Sequence, residues 1–213
     1  MTLLLNQIIH TSFKHGWFYH YRINLANMEN NCNNGFSGLR SYLARVFEMC
    51  PDEKFESGPR SSALKFPVHT QITEDDRHIL CQQTATALET MDEFKTAHSK
   101  VQLYMLRNDK NAISIETPIW IDSCEYPRFN DFFGCEGALS GHIDLLKVLK
   151  DRIQVLDYKP KACKEKYAAT QTYFYALMLS TRTGIPLEKF ECGYFDDETS
   201  YFFNPSTTVL REN

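Results

Sequence analysis

The sequence predicts a mixed α/β (α+β) fold: a central, mostly antiparallel or mixed sheet of four to five strands, flanked by helices. Three observations carry this. Apolar residues recur at helical spacing in three stretches, aliphatic runs of period two crowd the chain after residue 100, and the order is helices, four strands, helix, strands. With 213 residues, 43% hydrophobic and 23% charged, the chain suits a single domain rather than two, and it lacks the composition of a disordered or collagen-like chain. Residues 1–73 read as a helical and irregular N-terminal part, and 74–203 as the core.

The elements follow in order. Asn30-Asn31-Cys32-Asn33-Asn34-Gly35 is a loop, because Asn and Gly tolerate left-handed backbone and compete with helix hydrogen bonds. Leu39, Tyr42, Leu43, Val46 and Phe47 fall on one face of a helix over 37–49, which Pro51 ends. Pro51, Pro59 and Pro67 make 51–71 irregular. Thr73 is expected to cap a helix reaching about residue 97, with Glu74, Asp75 and Asp76 at the positive end of its dipole. Val101–Leu106 and Ala112–Ile121 read as a hairpin around Asn108-Asp109-Lys110-Asn111, and Ala138–Leu149 with Arg152–Tyr158 as two further strands. A helix over 164–181 stops before Gly184 and Pro186, and Lys189–Phe195 with Ser200–Phe203 form a closing hairpin.

Several classes drop out. No stretch approaches the roughly 18 apolar residues of a membrane span, and Asn6, His10 and Lys14 interrupt the apolar start at Leu3–Leu5, so no signal peptide is expected. Seven cysteines without a CxxC pair suit a reducing, cytoplasmic compartment and buried thiols rather than a disulfide framework. A net charge of −4 gives no global basic footprint for nucleic acid.

The chemistry concentrates in two neighbouring segments, Gly141-His142-Ile143-Asp144 and Asp157-Tyr158-Lys159. A two-residue turn at Lys150-Asp151 pairs Leu146 with Val155 and Leu145 with Leu156. Continued, it pairs Ile143 with Tyr158, Asp144 with Asp157, and His142 with Lys159. Directly paired carboxylates lie about 4.5–5.5 Å apart between Cβ atoms and repel. Among apolar neighbours they need a shared proton, a flanking cation or a bound metal. Lys159 supplies the cation. A small set of hard oxygen ligands suits Mg²⁺ or Mn²⁺, with a phosphodiester as the matching substrate.

This pattern, G-x-x-D, a short gap, then D-x-K after an aliphatic strand, resembles the PD-(D/E)XK nuclease superfamily. Gln171 and Tyr175 on the following helix resemble the Q-x-x-x-Y signature of its RecB-like exonuclease branch, which includes CRISPR-associated RecB-like nucleases. The resemblance implies a restriction-endonuclease-like core and a metal-dependent nuclease acting on single-stranded or end-bearing DNA. A sequence-selective endonuclease, or a non-cleaving domain that binds DNA or protein, are the alternatives on the same core. It implies that Asp144 and Asp157 hold the metal, with the Tyr158 carbonyl as a third ligand and Lys159 as the catalytic lysine. Glu116 corresponds to the acidic residue of an earlier strand, and Gln171 and Tyr175 support the site or the nucleic-acid backbone.

The branch often adds a histidine from an upstream helix. His78, His98 and His69 are candidates, and His78, on the expected capped helix, is preferred. Cys192 is the only cysteine after Cys163, so no iron–sulfur cluster is expected. No helicase motif is present, and unwinding would fall to a partner. Between residues 147 and 166, seven basic residues face three acidic ones, a local collar suited to phosphates in which Lys161, Lys164 and Lys166 are expected to touch nucleic acid. Tyr167, Tyr173 and Phe174 could stack bases, with helical core as the commoner fate of such residues.

Overall fold

The computed structural model describes residues 7–33, 35–134 and 137–210. Leu3–Leu5, Asn34 and Cys135 therefore lie outside the described residues. The chain runs β1 (Ile8–His15), β2 (Trp17–Asn24), α1 (Leu25–Asn31), α2 (Ser37–Glu48), β3 (Thr73–Asp75), α3 (Ile79–Thr90), α4 (Ala97–Asn108), β4 (Ala112–Asp122), α5 (Phe129–Phe133), β5 (Ala138–Val148), β6 (Ile153–Tyr158), α6 (Ala168–Thr183), β7 (Phe190–Phe195) and β8 (Ser200–Phe203).

One mixed sheet of eight strands organises the molecule, in the order β1-β2-β4-β5-β6-β7-β8-β3. All neighbours are antiparallel except β6 and β7, which run parallel because α6 carries the chain back across the sheet between them. The sheet separates two cores. Leu146, Val148, Ile153 and Val155 pack with α2 and α6 on one face, and Ile115, Leu145 and Leu156 pack with α3 and α4 on the other. Both faces are covered, so β5 and β6 are buried along their whole length.

The architecture agrees with the expected class, and the larger strand count comes from two places. The N-terminal part, expected to be helical or irregular, opens with the β1–β2 hairpin, and β2 joins the sheet by pairing Arg22 with Ile115 and Ile23 with Ser114. Thr73 does not cap a helix. Thr73–Asp75 is an edge strand on β8, and α3 begins six residues later with His78 as its cap. Val101–Leu106 belongs to helix α4 rather than to a hairpin. Its consecutive apolar residues satisfy either period, and burial of Val101, Leu103, Met105 and Leu106 beneath the sheet decides for helix. α6 starts at Ala168, after a 3₁₀ turn at Ala162–Lys164, and ends on left-handed Gly184.

Candidate active site

β5 and β6 form a hairpin closed at Lys150-Asp151, where the Leu149 N–H donates to the Arg152 carbonyl at 2.9 Å. The expected register holds from Val148↔Ile153 to Leu145↔Leu156 and then stops. Beyond it the Tyr158 N–H turns from the ladder and donates to Asp144 Oδ2 at 3.0 Å. The expected ladder pairs at Ile143, Asp144 and His142 are thus replaced by a split. β6 stays with β7 through Tyr158↔Phe195, and the Lys159 N–H reaches the Phe195 carbonyl at 2.9 Å, while β5 stays with β4 as far as Asp122. Asp144 and Asp157 stand on the two sides of this split and line one cavity of about 220 Å³ with Glu116, Lys159, Gln171 and Tyr175.

Each part of the signature has a physical reason. A Cβ on Gly141 would lie 2.5 Å from Cε1 of Tyr175, so only glycine lets that ring settle on β5. The Tyr175 hydroxyl accepts a hydrogen bond from Gln171 Nε2 at 2.9 Å, and Nε2 also donates to Asp157 Oδ1 at 3.1 Å. Spacing of four on α6 puts both side chains on the face that looks into the split. Glycine, tyrosine and glutamine thereby fix the orientation of one carboxylate. Its other oxygen, Oδ2, is 2.6 Å from Lys159 Nζ, a contact that leaves that oxygen a second lone pair and so acceptor capacity.

Glu116 lies between Ile115↔Leu145 and Thr117↔Ile143 on β4, level with Asp144. Its backbone is left-handed, with φ at 51°, which for a non-glycine residue costs about 1–3 kcal/mol and re-aims the side chain. The carboxyl accepts from Gln102 Nε2 at 2.6 Å. Burial pushes Asp144 well above the ordinary carboxylate range, and the neighbouring Asp157 and Glu116 charges add to it. Burial also raises Asp157, against the pull of Lys159, and raises Glu116, against the Gln102 hydrogen bond. Burial opposes the Lys159 ammonium, but Asp157 and Asp144 outweigh it and the net direction is upward. The lysine is therefore a cation at neutral pH. Burial likewise holds the Tyr175 phenol protonated.

The three candidate upstream histidines lie in different places. His78 caps α3, accepting the Leu80 N–H at Nδ1, with its ring against Phe202, and it is not among the residues lining the cavity. His69 bridges Val209 through its backbone. His98, in the first turn of α4, lines the cavity with Nε2 3.9 Å from Asp144 Oδ2. Burial lowers its pKa, with Asp157 acting in the opposite direction, and its ring stands edge-on to Tyr158. Spacing of four between His98 and Gln102 was the available signal, hidden by reading part of α4 as a strand.

The basic collar is partly dismantled. Lys147 is buried against Asp109 at 2.7 Å, and Arg152 pairs with Asp151 and Glu191 at the far end of the hairpin. Lys161, Lys164 and Lys166 remain exposed on the segment leaving Lys159. Tyr173 and Phe174 are core. Among the described residues, the large exposed aromatics lie at the β1–β2 tip, where Trp17 is 76% exposed and Phe18 62%. Both line a cleft of about 540 Å³ that shares Tyr19, His98 and Glu116 with the cavity. Nothing in the sequence pattern singled out Tyr19, Arg60 or Gln102.

The donor set fits a hard divalent cation: buried carboxylate oxygens, one of them retaining acceptor capacity, beside an imidazole. Among the described residues, one trio keeps its ligand atoms within 4.8 Å of one another, and it is His15, Cys50 and Asp52. There His15 Nε2 is already committed to Asp52, and burial pushes the Cys50 thiol up to about 12, so the trio reads as structural. The cavity carboxylates are more widely set, as suits an ion that keeps water and phosphate oxygens in its shell.

No curated protein and no solved structure matches the chain. A family model for the PD-(D/E)XK nuclease superfamily matches residues 12–204, from β1 to just past β8. That span covers the sheet from the middle of β1 onward and every residue that lines the cavity, and on it the chain belongs to the PD-(D/E)XK nuclease superfamily.

Proposed function

We propose that this protein is a Mg²⁺- or Mn²⁺-dependent deoxyribonuclease of the RecB-like branch, an exonuclease acting on single-stranded or end-bearing DNA and related to the CRISPR-associated members. The observation that carries the reading is the meeting of Asp144, Asp157 and Lys159 in one cavity at the split between β5 and β6, with Gln171 and Tyr175 behind them. Asp144 and Asp157 would hold the metal, with His98 and Glu116 in the same cavity and the Tyr158 carbonyl as a further ligand by resemblance to the family. Bound there, a divalent cation polarises the phosphodiester and acidifies a water.

The protein's own groups do the rest. Lys159 enters as an ammonium, so it stabilises negative charge developing on the phosphoryl oxygens and does not accept a proton. Gln171 keeps Asp157 Oδ1 engaged and so aims Oδ2 into the cavity. Gln102 fixes the Glu116 carboxyl, whose remaining oxygen orients the attacking water. Exposed Lys161, Lys164 and Lys166 attract the backbone. The adjoining cleft, with Trp17, Phe18 and Tyr19 on one wall, supports a strand with unstacked bases over an intact duplex. A helicase partner would supply such a strand.

End-labelled single- and double-stranded DNA, with RNA alongside, tests this in Mg²⁺, Mn²⁺ and EDTA. Wild type should shorten the strand from one end only with metal, and Asp157→Ala and Lys159→Ala should fall at least about 100-fold. Equal digestion by all three, or digestion in EDTA, overturns the catalytic assignment.

A further inference from the structure

Arg60 lines the same cavity as the carboxylates and is held there from every side. Its backbone bridges Ser140 on β5, the Ser140 N–H donates to the Pro59 carbonyl at 3.1 Å, and Ser61 Oγ donates to the Ser140 carbonyl at 3.2 Å. Its guanidinium carbon is 5.6 Å from the Tyr19 ring and 5.9 Å from the Phe55 ring. Nη2 donates to the Tyr19 hydroxyl at 3.2 Å and to His142 Nδ1 at 3.1 Å. Among the described residues, no carboxylate comes within 4.0 Å of this guanidinium, although three line the cavity.

A guanidinium cannot accept a hydrogen bond, so the contact with Arg60 fixes the tautomers behind it. His142 Nδ1 is the acceptor, and its proton is on Nε2. Nε2–H therefore donates to His15 Nδ1 at 2.9 Å, and His15 Nε2–H donates to Asp52 Oδ1 at 2.9 Å. The line Arg60, His142, His15, Asp52 runs in one direction from the cavity to a carboxylate at the surface. His15 is stacked on Phe55 and His142 on Tyr19, which leaves the line little freedom. Among the described residues the Arg60 Nε and Nη1 donors have no acceptor and the cation has no counter-ion, and such scaffolding matches the forked recognition of a phosphate.

We propose that Arg60 anchors a phosphate of the nucleic-acid strand beside the one attacked at the Asp144–Asp157 centre, with His142, His15 and Asp52 as positioning residues. This rests on the nuclease reading above. The group bound is a phosphate oxygen pair, whether an internal phosphodiester or a phosphorylated strand end.

The test is binding of a fluorescent single-stranded DNA to the full chain in EDTA, where cleavage does not intrude, across a salt series. Oligonucleotides with a phosphorylated or a hydroxyl end separate the two sources. Arg60→Ala should weaken binding about tenfold or more and reduce the slope of log affinity against log salt by about 0.7, one phosphate contact on a single strand. Arg60→Lys should keep the slope but bind several-fold more weakly, since an ammonium lacks the fork. Asp52→Ala should weaken binding at unchanged slope, and Asp52→Glu should restore it. A loss confined to the phosphorylated end assigns Arg60 to that end, and an equal loss on both assigns it to the internal backbone. Wild-type affinity and slope in Arg60→Ala overturn the proposal. Should that variant melt early, Arg60→Lys with wild-type affinity does the same. Absence of wild-type binding overturns the nuclease reading, and this proposal with it.

Discussion

Gly141→Ala separates the signature's architecture from its chemistry, because the residue touches no reacting group. The added methyl drives Tyr175 off β5, and Asp157 then loses the orientation that Gln171 gives it. Cleavage should drop about tenfold or more and stability by about 1–3 kcal/mol, read from rate assays and thermal melts, whereas Tyr175→Phe, which keeps the ring, should be milder. A rate in Gly141→Ala equal to wild type would disconnect the glycine from the site. Asp144→Asn should do the opposite to stability. It removes a buried charge yet keeps the oxygen that accepts the Tyr158 N–H, so the metal-free protein should gain about 1–2 kcal/mol, some 2–8 °C, while cleavage is lost. Melts in EDTA decide it. At this scale the sequence was informative where chemistry demands a residue type in a fixed order: Asp144, Asp157, Lys159, Gln171 and Tyr175 meet in one cavity. It was silent on Arg60 and Gln102, since an isolated Arg or Gln in a loop or helix has no spacing that marks it.

At the scale of elements, the two helices offer their histidines differently: His98 on α4 lines the cavity, and His78 at the cap of α3 does not. Thr73 with three acids behind it is a sound cap signal, but the segment pairs with β8 as an edge strand instead. His98→Ala should therefore weaken Mn²⁺ binding by tenfold or more by calorimetry. His78→Ala should cost only the cap, about 1 kcal/mol, with metal affinity intact. The reverse result would restore His78. The hairpin tip carries its own test. Trp17 is exposed and Trp120 is buried, so tryptophan emission should be quenched when single-stranded DNA binds, and Trp17→Ala should abolish that change and weaken binding. Unchanged emission on binding would remove the tip from the strand path. β4, β5 and β6 were legible from aliphatic runs bounded by turn residues, and β7 and β8 from the aromatic residues that flank Asp196-Asp197-Glu198. β1 and β2, with His10, Ser12, Lys14, His20 and Arg22 along them, hide their period in polar side chains.

Across the whole molecule, two sets of buried groups pull stability in opposite directions with pH. Glu116, Asp144 and Asp157 titrate above their unfolded values, so the stability they allow is present below about pH 4 and lost as pH rises through their folded values. Burial holds His15, His98 and His142 below theirs, so their contribution is present above about pH 6.5 and lost as pH falls. Mg²⁺ or Mn²⁺, by relieving the carboxylates, should therefore raise the melting temperature more at about pH 8 than at about pH 5. Equal gains at both would place the ion elsewhere. The overall class was readable from element order, but the extent of the sheet was not, because the recognisable signature occupies only its second half. Residues 8–24 continue that sheet from β4, and Tyr19 and Arg60 wall the chamber. Anyone who trims a clone to the signature, starting at residue 74, would expose the bare edge of β4 to self-association and recover a protein missing one side of its own jaw.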